Sequence, residues 1–155
     1  MKAPIEIRPM GAADLDQVLA IADALPEAPH WPRSAYLKAI DPEATPRRVA
    51  LIATGAGPDP ILGFAVASLL VPQAELETIA VAEHYRRAGV GRQLLRNLIA
   101  ELETADVDEV FLEVRSSNHS ALAFYRSLGF CRTGIRSGYY ANPVEDAILM
   151  RLPVV

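Results

Sequence analysis

Cysteine and lysine are the scarce residues of this 155-residue chain, with one cysteine, Cys131, and two lysines, Lys2 and Lys38. A single cysteine excludes an internal disulfide framework and a thiolate metal cluster. Cys131, in a strand-like stretch, is expected to be a small buried hydrophobe. The three histidines, His30, His84 and His119, are scattered without ligand-like spacing. No Gly-x-Ser-x-Gly elbow accompanies them, which argues against a metal site and a hydrolase triad. The longest apolar run, Ile61 to Val71, is too short to span a bilayer and is interrupted by Gly63 and Ser68. "MKAPIEIRPM" lacks the apolar segment of a signal peptide, so a cytoplasmic protein is expected.

What is present fits one domain over residues 1–155. Hydrophobic residues make up 51 % and charged residues 22 % of the chain, enough apolar material for a sizeable core. The net charge is −4 and the pI near 5.4, which argues against a broad nucleic-acid-binding face. Thirteen arginines nonetheless supply almost all the positive charge, and arginine's planar fork suits phosphate oxygens.

Patterning predicts the elements in order. "IEIRP" alternates like a strand. "GAADLDQVLAIADAL" puts Leu15, Val18, Leu19, Ala22 and Leu25 on one helical face, and "RSAYLKAI" forms a second short helix. "RRVALIA" and "ILGFAVASLL" read as strands around the loop "TGAGPDP", and "AELETIAV" as the next strand. Leu94, Leu95, Leu98, Ile99 and Leu102 mark a helix, "DEVFLEV" a strand and "NHSALAFYRSL" a helix closed by Gly129. "FCRTGIR" and "DAILMRL" finish as strands. The order β-α-α-β-β-β-α-β-α-β-β predicts a mixed α/β sheet with helices on both faces, and a parallel crossover between Glu75 and Val114.

One stretch carries a binding signal. "HYRRAGVGRQLL", residues 84–95, sets two glycines and three arginines (Arg86, Arg87, Arg92) at the start of a helix. Free N–H groups and the helix dipole favour an anion there. Arg-x-x-Gly-x-Gly alone also fits an ordinary strand-to-helix turn. A nucleotide P-loop would need Lys-Ser/Thr after Gly91, where Arg92 and Gln93 stand. A dinucleotide fingerprint would need glycine at Leu94.

"VAEHYRRAGVGRQLL" resembles the acetyl-CoA pyrophosphate loop of the GNAT superfamily of acetyltransferases, with Arg86, Gly89 and Gly91 in its fixed places. "IAV" before it and "NHSALAFYRSLGF" after it match that family in order and spacing, and the resemblance covers the whole chain. "FLEVRSSNHSALAFYRSLGF" and "IRSGYYANPVEDAILM" most resemble its bacterial RimI-type ribosomal-protein alanine N-acetyltransferases. The resemblance implies acetyl-CoA as donor, held by Ile79, Ala80, Val81, Arg86, Arg87, Ala88, Gly89, Val90, Gly91, Arg92, Asn118 and Tyr125. It implies no metal, no membrane partner and an amine acceptor.

Acetyl transfer to an amine needs a neutral amine, a stabilised oxyanion and a proton for the departing thiolate. An α-amino group, with a pKa of about 7.7–8, meets the first need far more easily than a lysine side chain. Glu113, mid-strand in "FLEVR", is either a base, a carboxylate paired with an arginine such as Arg115, or a side chain facing solvent at the strand end. The RimI-type resemblance puts the base here. Tyr125 shares a helix face with Ala121 and Leu128 as a core aromatic would; the resemblance makes it the acid that protonates the thiolate. Asn118 is an expected N-cap. Glu75 and Glu77, two apart on one strand face, rival Glu113, since other GNAT branches carry their carboxylate there. Tyr139 and Tyr140, and Trp31 in "APHWP", resemble segments bordering the peptide groove of N-terminal acetyltransferases. Here His-Trp-Pro, Gly138 and Val144 depart from that pattern. The acceptor therefore stays open between a protein N-terminus and a small amine, and a non-catalytic acyl-CoA-binding module is a third reading.

Overall fold

A computed structural model describes residues 4–56 and 61–154. Residues 57–60, the last four of the seven in the expected "TGAGPDP" loop, lie outside the described residues. The strands are β1 (Glu6–Pro9), β2 (Arg48–Thr54), β3 (Ile61–Leu70), β4 (Gln73–Val81), β5 (Glu109–Arg115), β6 (Cys131–Tyr140) and β7 (Glu145–Pro153). The α-helices are α1 (Leu15–Asp23), α2 (Arg33–Ile40), α3 (Val90–Thr104) and α4 (His119–Ser127). The order matches the sequence pattern element for element.

The strands form one sheet in the order β1-β2-β3-β4-β5-β7-β6. Every pairing is antiparallel except β4 with β5, which are joined through α3 as a parallel pair requires. Helices α3 and α4 cover one face, where Val90, Leu94, Leu95, Leu98 and Leu102 pack on Ala65, Ala67, Leu76, Val110 and Leu112. Burying each of those helical side chains contributes roughly 1.5–3 kcal/mol, which outweighs the roughly 1 kcal/mol helix cost of Gly91. Helices α1 and α2 cover the other face, but only over β2 and β3 and the end of β4, with Val18, Tyr36, Ile52 and Phe64 at the centre. That helix layer stops short of β5, β7 and β6.

Two irregularities shape this open half. In β4, Val66 pairs with Thr78 and Ala67 with Leu76, so Glu77 is an extra residue in a bulge. The bulge switches the alternation. Ala74 and Leu76 face α3, whereas Ala80 faces α1 and α2. Strand β6 also runs four residues beyond the expected "FCRTGIR" stretch. It carries a second irregularity between Arg136 and Tyr140, where Gly138 at φ +61° donates its N–H to Asp146 Oδ1 at 2.9 Å. Because β6 is the edge of the sheet, its residues are mostly exposed. Cys131 opens this strand and is exposed, not buried as expected.

Candidate active site

Strands β4 and β5 stay paired only over Gln73–Glu109, Ala74–Val110 and Glu75–Phe111. Beyond Glu75 they separate, and among the described residues the β4 edge from Leu76 to Val81 has no ladder partner on the β5 side. Ile79, Ala80 and Val81 line this opening. A wedge with unpaired backbone donors and acceptors in a mid-sheet position suits an extended, amide-bearing ligand arm.

The turn after β4 leads from the opening to α3. Its backbone enters positive φ at Arg87 (+65°) and again at Gly89 (+82°), the residue before the helix. The first helical bond runs from Gln93 N–H to the Gly89 carbonyl at 3.0 Å. Among the described residues no protein group accepts from the six N–H groups of Arg87 through Arg92 (Ala88 and Val90 included), and α3 has no side-chain N-cap. The two glycines act differently. A Cβ at Gly89 would meet nothing within 4 Å, so its requirement is the backbone angle. A Cβ at Gly91 would meet the Phe124 ring at 3.3 Å, so this glycine lets α3 approach α4. The arginines divide too: Arg86 is paired with Glu27 at 3.0 Å, Arg92 donates to Ser127 Oγ at 3.1 Å, and Arg87 is exposed.

Opposite the turn lies the open half of the sheet. Val110, Leu112 and Val114 enter the α3-side core, so Glu113 points to the other face. Its side chain is 12 % exposed; Oε1 meets the Arg136 guanidinium at 3.5 Å, while the buried Oε2 has no hydrogen-bond partner among the described residues. Arg115, the partner weighed from the sequence, turns away instead. It donates to the carbonyls of Ala141 and Pro143 and to Glu145, and lies 4.4 Å from the Tyr140 ring centre. Glu145 also accepts from Ser116 Oγ and the Ser117 N–H, and these bonds hold its carboxyl down at about 2.

The rival carboxylates share the Glu113 face. Glu77 is held by Arg48 Nε at 2.7 Å, with both side chains mostly buried. With Trp31, Ala35 and Lys38 the pair lines a cavity of about 260 Å³. Trp31 in turn rests on Tyr36, ring centres 5.3 Å apart. Glu75 has no ion pair or hydrogen bond among the described residues. Burial, then the charges of Glu77 and Glu113, raise its carboxyl above the ordinary value.

Helix α4 supplies the remaining candidates. Asn118 is the N-cap, its Oδ1 accepting from Ala121 N–H at 3.2 Å, and His119 beside it is exposed. Tyr125 packs between Phe124 and Phe130, with ring centres 5.4 and 5.7 Å away. Burial raises its phenol well above 10, and Tyr140 adds to the effect. Tyr140 itself is pushed up to about 12, first by burial and then by Glu113. Glu113, Tyr140 and Tyr125 therefore lie within electrostatic reach in that order. Tyr139, half exposed, stands edge-to-face with Tyr140 at 5.1 Å and is raised chiefly by the charge of Glu113.

Arg136, Arg48 and Glu145 were not visible as site residues in the sequence. Each finds its partner through strand register, 23 to 29 residues away, and no local motif reports such a pairing.

A mid-sheet wedge leading to an uncapped, glycine-shaped helix start defines a class, and the sequence agrees with it. The acetyltransferase (GNAT) family matches residues 17–130, and the chain belongs to that family. It is 47 % identical over 98 residues to the [Ribosomal protein bS18]-alanine N-acetyltransferase of Salmonella typhimurium, covering 62 % of this chain and 66 % of that one. It is 40 % identical over 125 residues to the N-alpha-acetyltransferase RimI of Mycobacterium tuberculosis, covering 78 % of this chain and 74 % of that one. The chain thus spans just under two thirds of the Salmonella relative's length. The crystal structure of the ribosomal-protein-S18-alanine N-acetyltransferase from Escherichia coli superposes with a TM-score of 0.81 at 34 % identity, over 97 % of this chain and 94 % of that one.

Proposed function

We propose that this protein is an acetyl-CoA-dependent N-acetyltransferase acting on the α-amino group of a protein N-terminus, of the ribosomal-protein alanine type. An acceptor of that kind places it in the cytoplasm. The observation that carries the reading is the pairing of two features across one opening: six unclaimed N–H groups on one side, and a buried, unclaimed carboxylate oxygen on the other.

The free amides of residues 87–92 fit the pyrophosphate of the donor, with Arg87 supplying charge from outside. The β4 edge at Ile79, Ala80 and Val81 fits the amides of its extended arm, and Asn118 and Tyr125 border it from α4. In the reaction the amine nitrogen bonds to the thioester carbonyl carbon and the carbon–sulfur bond breaks. Glu113 Oε2 takes the proton the amine loses, directly or through one water. Tyr125, its phenol kept protonated by burial, delivers a proton to the sulfur. Trp31, Glu77, Tyr139 and Tyr140 flank the acceptor.

The test is an acetyl-CoA turnover screen on peptides beginning Ala, Ser, Met or Gly, run beside polyamines and free amino acids. Turnover confined to peptide α-amines supports the proposal. Turnover of polyamines or free amino acids alone assigns a small-molecule acceptor, and binding of acetyl-CoA without turnover of any amine assigns a binding module.

A further inference from the structure

The two oxygens of Glu113 sit differently, and one charged residue reaches only one of them. Arg136, on β6, reaches across β7 to Oε1 at 3.5 Å, while Oε2 stays buried and unpartnered. The same guanidinium lies 5.1 Å from the ring centre of Tyr139. It is 55 % exposed, so it approaches from the solvent side, over the acceptor face. The other charged and titratable groups near Glu113 leave Arg136 as its direct counter-ion. From β4 comes Glu75, of like charge, and from β6 come Tyr140 and Tyr139, neutral at ordinary pH; the Tyr139 phenol is raised both by the charge of Glu113 and by the nearness of its hydroxyl to that carboxylate. From β7 the partner in register is Leu149, and Arg115 on its own strand is engaged by Glu145.

We propose that Arg136 is a positioning residue for the base. It fixes one carboxylate oxygen so that the other faces the β4–β5 opening, and it sets a positive charge beside the amine–carboxylate pair that exchanges the proton. The proposal rests on Glu113 being the base. A carboxylate left without this ion pair can rotate about its last bond, and turning Oε2 away breaks the line to the amine. The charge acts on the amine and carboxylate together, whose acidic limb is a property of the pair. Removing a cation makes every protonated form of that pair cheaper, so the limb moves to higher pH.

The experiment compares wild type, Arg136→Met, Arg136→Lys and Glu113→Gln on an Ala-initiated peptide, measuring kcat, KM and kcat/KM from pH 5.5 to 9.5, with melting temperature alongside. Arg136→Met is expected to lower kcat about tenfold and to move the acidic limb up by about half a unit to one unit, the modest size reflecting an exposed partner. Melting temperature and CoA affinity stay at wild type. Arg136→Lys, which keeps the charge without the fork, returns the limb to its wild-type position while recovering only part of kcat. An Arg136→Met enzyme with wild-type rate and profile overturns the proposal, and so does a loss of rate with an unmoved limb. If Glu113→Gln is inactive in those same cases, the base assignment stands and only the positioning role falls. If Glu113→Gln keeps full activity, both fall together.

Discussion

The two sides of the β4–β5 opening are built from different materials. The side proposed to hold the donor is peptide: N–H groups of Arg87 through Arg92 unpaired among the described residues, a positive φ at Gly89, and an apolar contact under Gly91. The side proposed to meet the acceptor is ionic: Glu75, Glu77 and Glu113 with Arg48 and Arg136, set on four strands. Peptide amides do not titrate, so the donor side holds its ligand equally well across ordinary pH. An acceptor side that accepts the amine's proton must contain a titrating group. Donor affinity and acceptor turnover should therefore respond to different substitutions and differently to pH.

The largest effects belong to the two groups proposed to move protons. Glu113→Gln is expected to lower kcat by about 10²–10⁴ at neutral pH, the usual range for losing a general base. CoA affinity measured by calorimetry stays near wild type. Its loss shrinks at high pH, where solvent deprotonates the amine. Tyr125→Phe should cost a similar factor, about 10²–10⁴, but without that recovery. Its phenol is raised above 10, so it is protonated throughout pH 6–9 and its contribution is flat there. If Tyr125→Phe lowers melting temperature and leaves kcat alone, the residue is a core aromatic only.

On the donor side the glycines separate angle from packing. Gly89→Asp places a carboxylate beside the free amides and a side chain in the left-handed region. It should weaken CoA binding about 100-fold, because the new carboxylate repels the anion and the backbone shifts off the angle that aims the free amides; the strain of roughly 1–2 kcal/mol shows separately as a lower melting temperature. Gly91→Ala instead presses on Phe124, so melting temperature falls along with affinity. Equal affinity for wild type and Gly89→Asp, in a folded protein, removes the pyrophosphate from this turn.

The same division explains what could be read from the chain. The donor side is local: "HYRRAGVGRQLL" contains the turn, the uncapped helix start and both glycines within twelve residues. Helices and strands were legible because their periodicities are also local, down to α2 over "RSAYLKAI". The acceptor side depends on register. Arg48 meets Glu77 because β2, β3 and β4 align and a bulge re-aims Glu77. Arg136 meets Glu113 because β7 lies between their strands. Arg115 was the sequence-near partner of Glu113, and the β6–β7 turn claims it instead. Cys131 departs from its expected burial for a related reason. Alternation in "FCRTGIR" reports a strand but not that the strand is the sheet edge, where there is no second layer to bury it.

A smaller effect is expected at Glu75, which has no ion pair or hydrogen bond among the described residues. Glu75→Gln should raise the acceptor KM about five- to tenfold, the loss of roughly 1 kcal/mol of attraction between a half-buried carboxylate and an ammonium. Because burial and like charge raise this carboxyl, its charged form is lost at a higher pH than an ordinary glutamate's. In wild type KM should therefore climb as pH falls through that range, and in Glu75→Gln it should not. Stability runs the other way. An acid whose folded value is raised destabilises the fold as pH rises above its unfolded value. Glu75→Gln should then melt higher than wild type at pH 7 and no higher at pH 4. A fall in kcat here, with Glu113→Gln silent, would move the base to β4.

The smallest effect is expected where the two kinds of construction meet. Arg86 fills the first fixed place of the loop pattern, yet its guanidinium is paired with Glu27, and both side chains are nearly half exposed. An exposed pair of this kind is worth about 1 kcal/mol or less and is screened by salt. If the donor is held by peptide amides, Arg86→Ala should weaken CoA binding no more than about fivefold in low salt, and 0.5 M salt should erase most of that difference. Melting temperature should barely change, because Glu27 stays solvated. Titrations of wild type and Arg86→Ala at two salt concentrations check this. A loss approaching that of Gly89→Asp would mean that Arg86 leaves Glu27 to bind the donor. The donor side would then be ionic as well, and the contrast with the acceptor side would fail.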